Sequence, residues 1–353
     1  MKLVTHANAV GGLSRWTEAT LQAGAVGAKI LDRPDTAYSL ASEFPRAAIV
    51  YRRVEPGDLR NLSDWRRQWP DPKVCADTVA RYALIDPRPN LIVEGINEPK
   101  LDSLETARWY GQVEAERAKI LAGRKLRAAI GGFATGNPTL PLFVEFMRAY
   151  RAAGGPDVDI QHHQYSHHLL EPGFGPGQDH ENLLRHRLLR EAAASLVRNM
   201  RWIIGETGLD TVDVAGLEQG KAYANTGWSQ LQYWQRMLAF DRFLEEDADV
   251  LLAAIYAYRQ PGWSKHEMED LNEFNTNLVA ATRAATVPVV EAPLFAFDGA
   301  RKSVVLHVGR AGKPLLPRIA NYTIHVYEIV DGWWRVTPRT VNYWMQAIPL
   351  RAA

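Results

Sequence analysis

The sequence predicts a closed (β/α)₈ barrel, an α/β fold of the TIM-barrel type, followed by a small all-β unit. Three observations carry that prediction. Short β-rich runs alternate with amphipathic Ala/Arg/Glu/Leu-rich stretches of about 10 to 20 residues from Leu3 to about Ala285. Eight such pairs can be placed, over a length close to the roughly 250 residues usual for this barrel. The helical periodicity then stops at TVPVVEAP (286–293), where β-type runs punctuated by Gly and Pro take over.

In order, the eight candidate strands are LVTHAN (3–8), AVGAKILD (25–32), AAIVYRR (47–53), LIVEGINEP (91–99), RAAIGGFA (127–134), VDIQHHQYSHH (158–168), WIIGETGLD (202–210) and VLLAAIYAYRQ (250–260). Each is followed by a helix-like stretch, such as SLETARWYGQVEAERAKILA (103–122) and WSQLQYWQRMLAFDRFLEE (228–246). The first strand-to-helix turn, HANAVGGLS, lacks GxGxxG, and no Walker sequence follows any strand, which disfavours a doubly wound nucleotide-binding sheet. Beyond residue 285 come KSVVLHV, TIHVYEIV, GWWRV and YWMQAIPL. The expected domains are therefore 1–285, the barrel, and 286–353, the all-β module.

Composition excludes several classes. The 353 residues are 46% hydrophobic and 23% charged, enough apolar material for a sizeable core. Lys plus Arg is 41 against 40 for Asp plus Glu, so no global field points to nucleic acid or an anionic membrane. Cys75 is the single cysteine, which excludes an intramolecular disulfide and a thiolate metal cluster. The longest apolar stretches fall short of the ~20 residues that span a bilayer. The N-terminus enters a strand at once, which leaves two expectations: an intracellular protein, or a secreted one whose leader was removed.

Polar residues gather at the C-terminal ends of the strands: His6 and Asn8, Lys29 and Asp32, Arg52 and Arg53, Asn97 and Glu98, His163 and Tyr165, Glu206, Tyr258 and Gln260. In a barrel those ends converge on the face where this architecture builds its chemistry. Glu98 on the fourth strand and Glu206 on the seventh would face each other across the mouth. Glycosidic cleavage needs such a pair, one carboxyl to protonate the leaving oxygen and one carboxylate to meet the sugar from the other side. On the sixth strand, alternation puts Asp159, Gln161, His163 and Tyr165 on one face. If Val158 and Ile160 meet the helices, His163 and Tyr165 point into the mouth. A nearby Arg, either Arg52 or Arg53, would keep Glu206 ionised. Glu94 is read as structural, with Lys29 as its partner.

Asn-Glu-Pro at 97–99 with Glu-Thr-Gly at 206–208 resembles the retaining glycoside hydrolases of clan A, over about residues 1–285. The resemblance implies Glu98 as general acid/base, Glu206 as nucleophile, Asn97 as a hydrogen-bond partner of the sugar 2-hydroxyl, and Tyr165 as support for the nucleophile, with His163 as a site-lining donor. Trp263 resembles the clan's sugar platform, with Tyr256 or Tyr258 as alternatives, and His6 is a further site residue. No cofactor or metal is implied, and the partner is an oligosaccharide or polysaccharide with β-linkages. GWWRV followed by YWMQAIPL resembles the closing half of a bacterial SH3-like barrel, a module that often contacts a cell wall or partner.

Two features stand outside this reading. The run HHQYSHH invites a metal site, but alternation sends His162 away from His163, and no H-E-x-x-H occurs. The loop LLEPGFGPGQDHEN (169–182) follows the sixth strand, where it is either a lid or subsite wall over the mouth or a plain surface loop. A carbohydrate-binding or tethering protein on a retired glycosidase barrel is the alternative function.

Overall fold

The computed structural model describes residues 1–8, 13–53, 62–82, 85–166, 183–209, 227–259 and 267–286, together with strand segments between 295 and 349. The chain divides into two compact units, Met1–Thr286 and Val287–Ala353.

Unit one is a closed barrel of eight parallel strands in chain order, β1 (Leu3–Asn8), β2 (Gly27–Leu31), β3 (Ala48–Arg52), β4 (Leu91–Val93), β5 (Arg127–Phe133), β6 (Asp159–Ser166), β7 (Arg201–Leu209) and β8 (Val250–Tyr258). Closure is made by β1 pairing β8, with Leu3 opposite Ala253 and Ala7 opposite Tyr258. Around it run α1 (Arg15–Gln22), α2 (Pro34–Glu43), α3 (Leu62–Gln68), α4 (Pro72–Tyr82), α5 (Leu104–Gly123), α6 (Leu140–Ala152), α7 (Arg185–Ala192), α8 (Ala194–Val197), α9 (Gln230–Glu245) and α10 (Asn272–Thr286).

Local chemistry starts the helices where the sequence breaks from strand to helix. Ser14 accepts from the Trp16 amide, Ser103 from Thr106, and Ser229 with Gln232 forms a reciprocal capping box. Such caps contribute about 1 kcal/mol each, whereas each large side chain sealed between strand and helix contributes roughly 1.5–3 kcal/mol. Packing therefore decides the architecture. Tyr110 on α5, Phe133 on β5, and Phe143 and Phe146 on α6 form one such seal, all fully buried with ring centroids 5.2 to 6.3 Å apart.

Seven of the eight expected strands match to within about two residues, and β4 is shorter than read. Its ladder ends at Val93, and Glu94 to Pro99 climb to the mouth as irregular backbone. Gly95 marks the departure, because a Cβ there would press on Arg117 and Glu114 at 3.0 Å. No helix among the described residues is long and apolar enough to cross a membrane.

In unit two, β9 (Phe295–Asp298), β10 (Ser303–His307) and β13 (Met345–Pro349) form a three-stranded antiparallel sheet in the order β13-β10-β9. The strands β11 (Tyr322–Val330) and β12 (Trp333–Val341) pair antiparallel as a second sheet. Among the described residues these sheets do not close into one small barrel.

Candidate active site

Most strands bring a polar group to the mouth, and the backbone departs from ideal geometry where the two glutamates must turn inward. On β7 the pairing with β6 skips Gly205, so His162 lies opposite Ile204 and His163 opposite Glu206. A bulge of this kind re-aims the following side chain. A Cβ at 205 would lie 2.2 Å from the Gln161 amide nitrogen, so glycine there leaves the Gln161 side chain its place. Glu98 sits at φ +48°, in the left-handed region that costs a non-glycine residue, and its amide donates to the Gly132 carbonyl at 2.8 Å. Gly132 is itself at φ +67°, and a Cβ on it would meet the Ile96 carbonyl oxygen at 2.5 Å.

The two carboxylates meet through His163. Its Nδ1 is 3.1 Å from Glu98 Oε1 and 3.5 Å from Glu206 Oε2. A carboxylate oxygen of each glutamate and a ring nitrogen of His163 lie within 4.8 Å of one another. Glu206 is nearly buried, while Glu98 retains about a fifth of its side-chain exposure at 18%. Glu98 is thus the carboxyl nearer the opening.

Among the described residues, these three form the group that has the ligand types and spacing for a metal ion. The hydrogen bonding argues against that use. Gln161 Nε2 lies 3.2 Å from His163 Nε2, so the amide donates to Nε2 and the ring proton resides on Nδ1, facing both carboxylates. A protonated Nδ1 is a donor, and no lone pair remains on that side of the ring.

Glu206 is held by four further groups. Tyr165 donates its hydroxyl to Oε2 at 2.9 Å, Arg52 Nη2 donates to Oε1 at 3.3 Å, and Lys29 Nζ is 3.6 Å from Oε1 and donates to the Gly205 carbonyl at 3.0 Å. The fourth, His6, is fully buried beside it. Burial alone would raise the Glu206 carboxyl, but His163, Lys29, Arg52 and His6, in that order, pull it well below the usual carboxylate range. His6 is itself held uncharged near neutrality, first by burial and then by Lys29. Lys29 and Arg52 are the lysine and arginine of that set, standing beside His163. At these separations each is worth about 4–5 kcal/mol of attraction at an effective dielectric near 20, so the pair together outweighs a desolvation cost of several kcal/mol. Tyr165 is pushed well above its ordinary value by burial and then by Glu206, which keeps its proton in place for donation.

The remaining expected residues separate into those the fold brings in and those it does not. Arg52 is the inward arginine, and it also donates to Asn97 Oδ1. Arg53 is exposed, and its charge is felt by Tyr51 on the other side of β3. Glu94 pairs with Lys29 at 3.0 Å. His6 reaches the cluster with neither ring nitrogen hydrogen-bonded among the described residues. Tyr258 does not line the mouth: it is buried against α10, donating to Asn275 at 2.7 Å. The reason is an irregularity of β8, where Thr5 pairs Ile255 but Ala7 pairs Tyr258. The extra residue reverses the alternation, so Tyr256 takes the inward place, 5.2 Å from His6 and 6.2 Å from Tyr165 by ring centroids. Trp263, Gln260, His167, His168 and the loop at 169–182 lie outside the described residues, as does the side chain of Asn8. His162 is sent behind β6, where its Nε2 donates to the Asn137 carbonyl at 2.9 Å.

Alternation along the sixth strand puts Gln161 on the inward face without assigning it a part in the site, and the role of Gly205 is not read from the sequence. A glycine immediately before a strand-end glutamate was the available signal for the bulge.

No protein-family model matches the sequence, and no curated protein matches it. Solved structures that superpose on the chain include the following. A glucosidase from Croceicoccus marinus is 10% identical with a TM-score of 0.49, over 97% of this chain and 80% of that one. A Bacteroides ovatus GH5 xyloglucanase is 13% identical with a TM-score of 0.42, over 75% and 68%. A GH10 endoxylanase from a sugarcane soil metagenome is 11% identical with a TM-score of 0.45, over 73% and 85%. These similarities are weak in both measures, and what the chain does is read from its own site.

Proposed function

We propose that the chain is a retaining glycoside hydrolase acting on a β-linked glycoside or polysaccharide. The observation that carries the reading is the pair of carboxylates facing each other across one imidazole, with oxygens within 4.8 Å. Retaining enzymes hold their carboxyl groups about 5–5.5 Å apart, whereas inverting enzymes leave roughly 6.5–9.5 Å for a water. The environments divide the roles. Glu206, ionised between Lys29 and Arg52, attacks the anomeric carbon, while Glu98, nearer the opening, protonates the leaving oxygen. Glu98 then takes a proton from the water that cleaves the glycosyl ester. The Asn97 carbonyl is engaged by Arg52, which orients the amide NH₂ as the donor for a sugar hydroxyl. The β-linkage is what the resemblance to clan A implies. No cofactor takes part in this chemistry.

Finer parts of the proposal concern the second unit, which we read as an SH3-like module that brings the barrel to a wall polymer or partner. The test of the main reading is hydrolysis of a panel of aryl β-glycosides and β-linked polysaccharides by the wild type, Glu98→Gln and Glu206→Gln. Cleavage that disappears in Glu206→Gln, and returns in Glu206→Gly when azide is added, supports double displacement. Binding without cleavage across the panel would replace the reading with that of a carbohydrate-binding protein.

A further inference from the structure

Beneath the reacting carboxylates lies a second ion pair for which the double displacement has no stated use. Lys29 Nζ sits 3.0 Å from Glu94 Oε2 and 3.6 Å from Glu206 Oε1, with the Lys29 and Glu94 side chains both wholly buried. Arg52 spans the same two carboxylates, 3.3 Å from Glu206 Oε1 and 3.9 Å from Glu94 Oε2. Two cations are therefore shared by two carboxylates, and only Glu206 is asked to react. One cation at this distance already lowers a carboxyl by about 1–3 units, so keeping Glu206 ionised does not require both.

A covalent mechanism supplies the missing reason, because its nucleophile loses its charge. As Glu206 bonds to the anomeric carbon, the bond to the leaving oxygen breaks and its electron pair stays on that oxygen, which takes the proton of Glu98. Glu206 becomes a neutral ester and Glu98 a carboxylate. The two cations remain where they were, out of water, and an uncompensated buried charge is costly. With Glu94 in place one cation keeps a fixed partner through both steps. The negative charge that leaves Glu206 is replaced at Glu98, on the far side of His163.

We infer that Lys29 and Glu94 act as a fixed counter-charge pair that sets the reactivity of Glu206, Lys29 favouring its departure from the glycosyl ester and Glu94 permitting its discharge when that ester forms. Both are positioning residues, acting through Glu206, and the inference rests on the proposed role of Glu206 as nucleophile. The charged and titratable groups around Glu206 are His6 from β1, Lys29 from β2, Arg52 from β3, Glu94 and Glu98 from the segment after β4, His163 and Tyr165 from β6, and Tyr256 from β8. Of the two cations, Lys29 is the one replaced by a neutral chain of similar length as methionine.

The experiment compares Glu94→Gln with Lys29→Met/Glu94→Gln, two proteins that differ only at Lys29 and in neither of which a buried Glu94 carboxylate is stranded. Lys29→Met alone is added where it folds. Protein labelled with ¹³C at glutamate carboxyls is titrated to its acid unfolding limit, the Glu206 signal being assigned by its loss in Glu206→Gln. The Glu206 midpoint is expected to be about one unit or more higher in the double variant than in Glu94→Gln. On a dinitrophenyl glycoside, the double variant should show a burst of phenolate with kcat lowered more than kcat/KM. Glu94→Gln should lower kcat/KM without a burst. No difference in the Glu206 titration down to the unfolding limit, or equal loss of both kinetic constants in the two variants, would overturn the inference. A wild type silent on every glycoside would sink the glycosidase reading instead, and the titration would still decide whether Lys29 acts on Glu206.

Discussion

Tyr165 spends its hydroxyl on one oxygen of Glu206, and Arg52 and Lys29 spend their charges on the other. The orientation of the Glu206 carboxylate is therefore set by the protein itself. A hydrogen bond to a charged group contributes about 1.5–3 kcal/mol, so Tyr165→Phe is expected to lower kcat/KM by about 10- to 100-fold. Wild-type kcat/KM in that variant would show that the hydroxyl does not support the nucleophile. At this scale the two glutamates were legible because strand-end position and the Asn-Glu-Pro string coincide. Arg52 against Arg53 was not, since adjacent residues on one short strand differ only in a parity that the sequence leaves unanchored. Tyr258 was misplaced for a related reason: one extra residue in β8 inverts the alternation, and nothing in the string IYAY announces it.

At the scale of elements, β6 shows how one strand serves two environments. Its inward positions give Gln161, His163 and Tyr165 to the site, as alternation from Asp159 predicts. Its outward positions put His162 and Gln164 among the helices, where Gln164 meets His186 at 3.0 Å. His162 is pushed down to about 3 by burial and then by Arg185. The unfolded chain, with an ordinary value near 6.5, therefore binds this proton first on acidification. Stability from this group is full above about pH 6.5 and falls as the pH drops toward 3, by roughly 1.4 kcal/mol per unit, or about 2 kcal/mol at pH 5. His6 and His186 are lowered as well and act in the same direction. Urea unfolding at pH 7 and pH 5 should show the loss in the wild type and a smaller one in His162→Gln, and equal losses would remove His162 from the account. The turn carrying Glu98 gives a second prediction. Ala at 132 has neither the room nor the backbone angle, so Gly132→Ala should destabilise the fold by about 1–3 kcal/mol and displace Glu98, lowering activity beyond what stability explains. Most strands were legible from their apolar runs. The early end of β4 was not, because VEGI continues the β-like pattern while Gly95 packs against a buried Glu114–Arg117 pair that only the fold brings near.

At the scale of the whole molecule, the barrel closes on itself through the first and last strands, and the last helix returns to the first, where the Thr286 hydroxyl donates to the Ala23 carbonyl at 3.3 Å. Unit one has a continuous core that runs from Leu3 to Leu278. A unit with its own continuous core and closed sheet carries what it needs to fold alone. Residues 1–286 expressed without the second unit are therefore expected to unfold within about 1 kcal/mol of the full chain, and to cleave a small aryl glycoside with kcat/KM within about threefold. A soluble substrate that fills the barrel mouth meets Glu98, Glu206, His163, Tyr165 and Asn97 of unit one. An insoluble polymer presents a different problem, since productive encounters there depend on how long the enzyme stays near the surface, which a linked second binding unit prolongs through effective concentration. If the β-rich unit is a tether, its removal should leave the small-substrate constants intact and reduce release of sugar from the polymer by tenfold or more. Equal rates on both substrates after truncation would instead assign that unit no part in substrate encounter, and loss of the folded barrel would show that the two units depend on each other for stability.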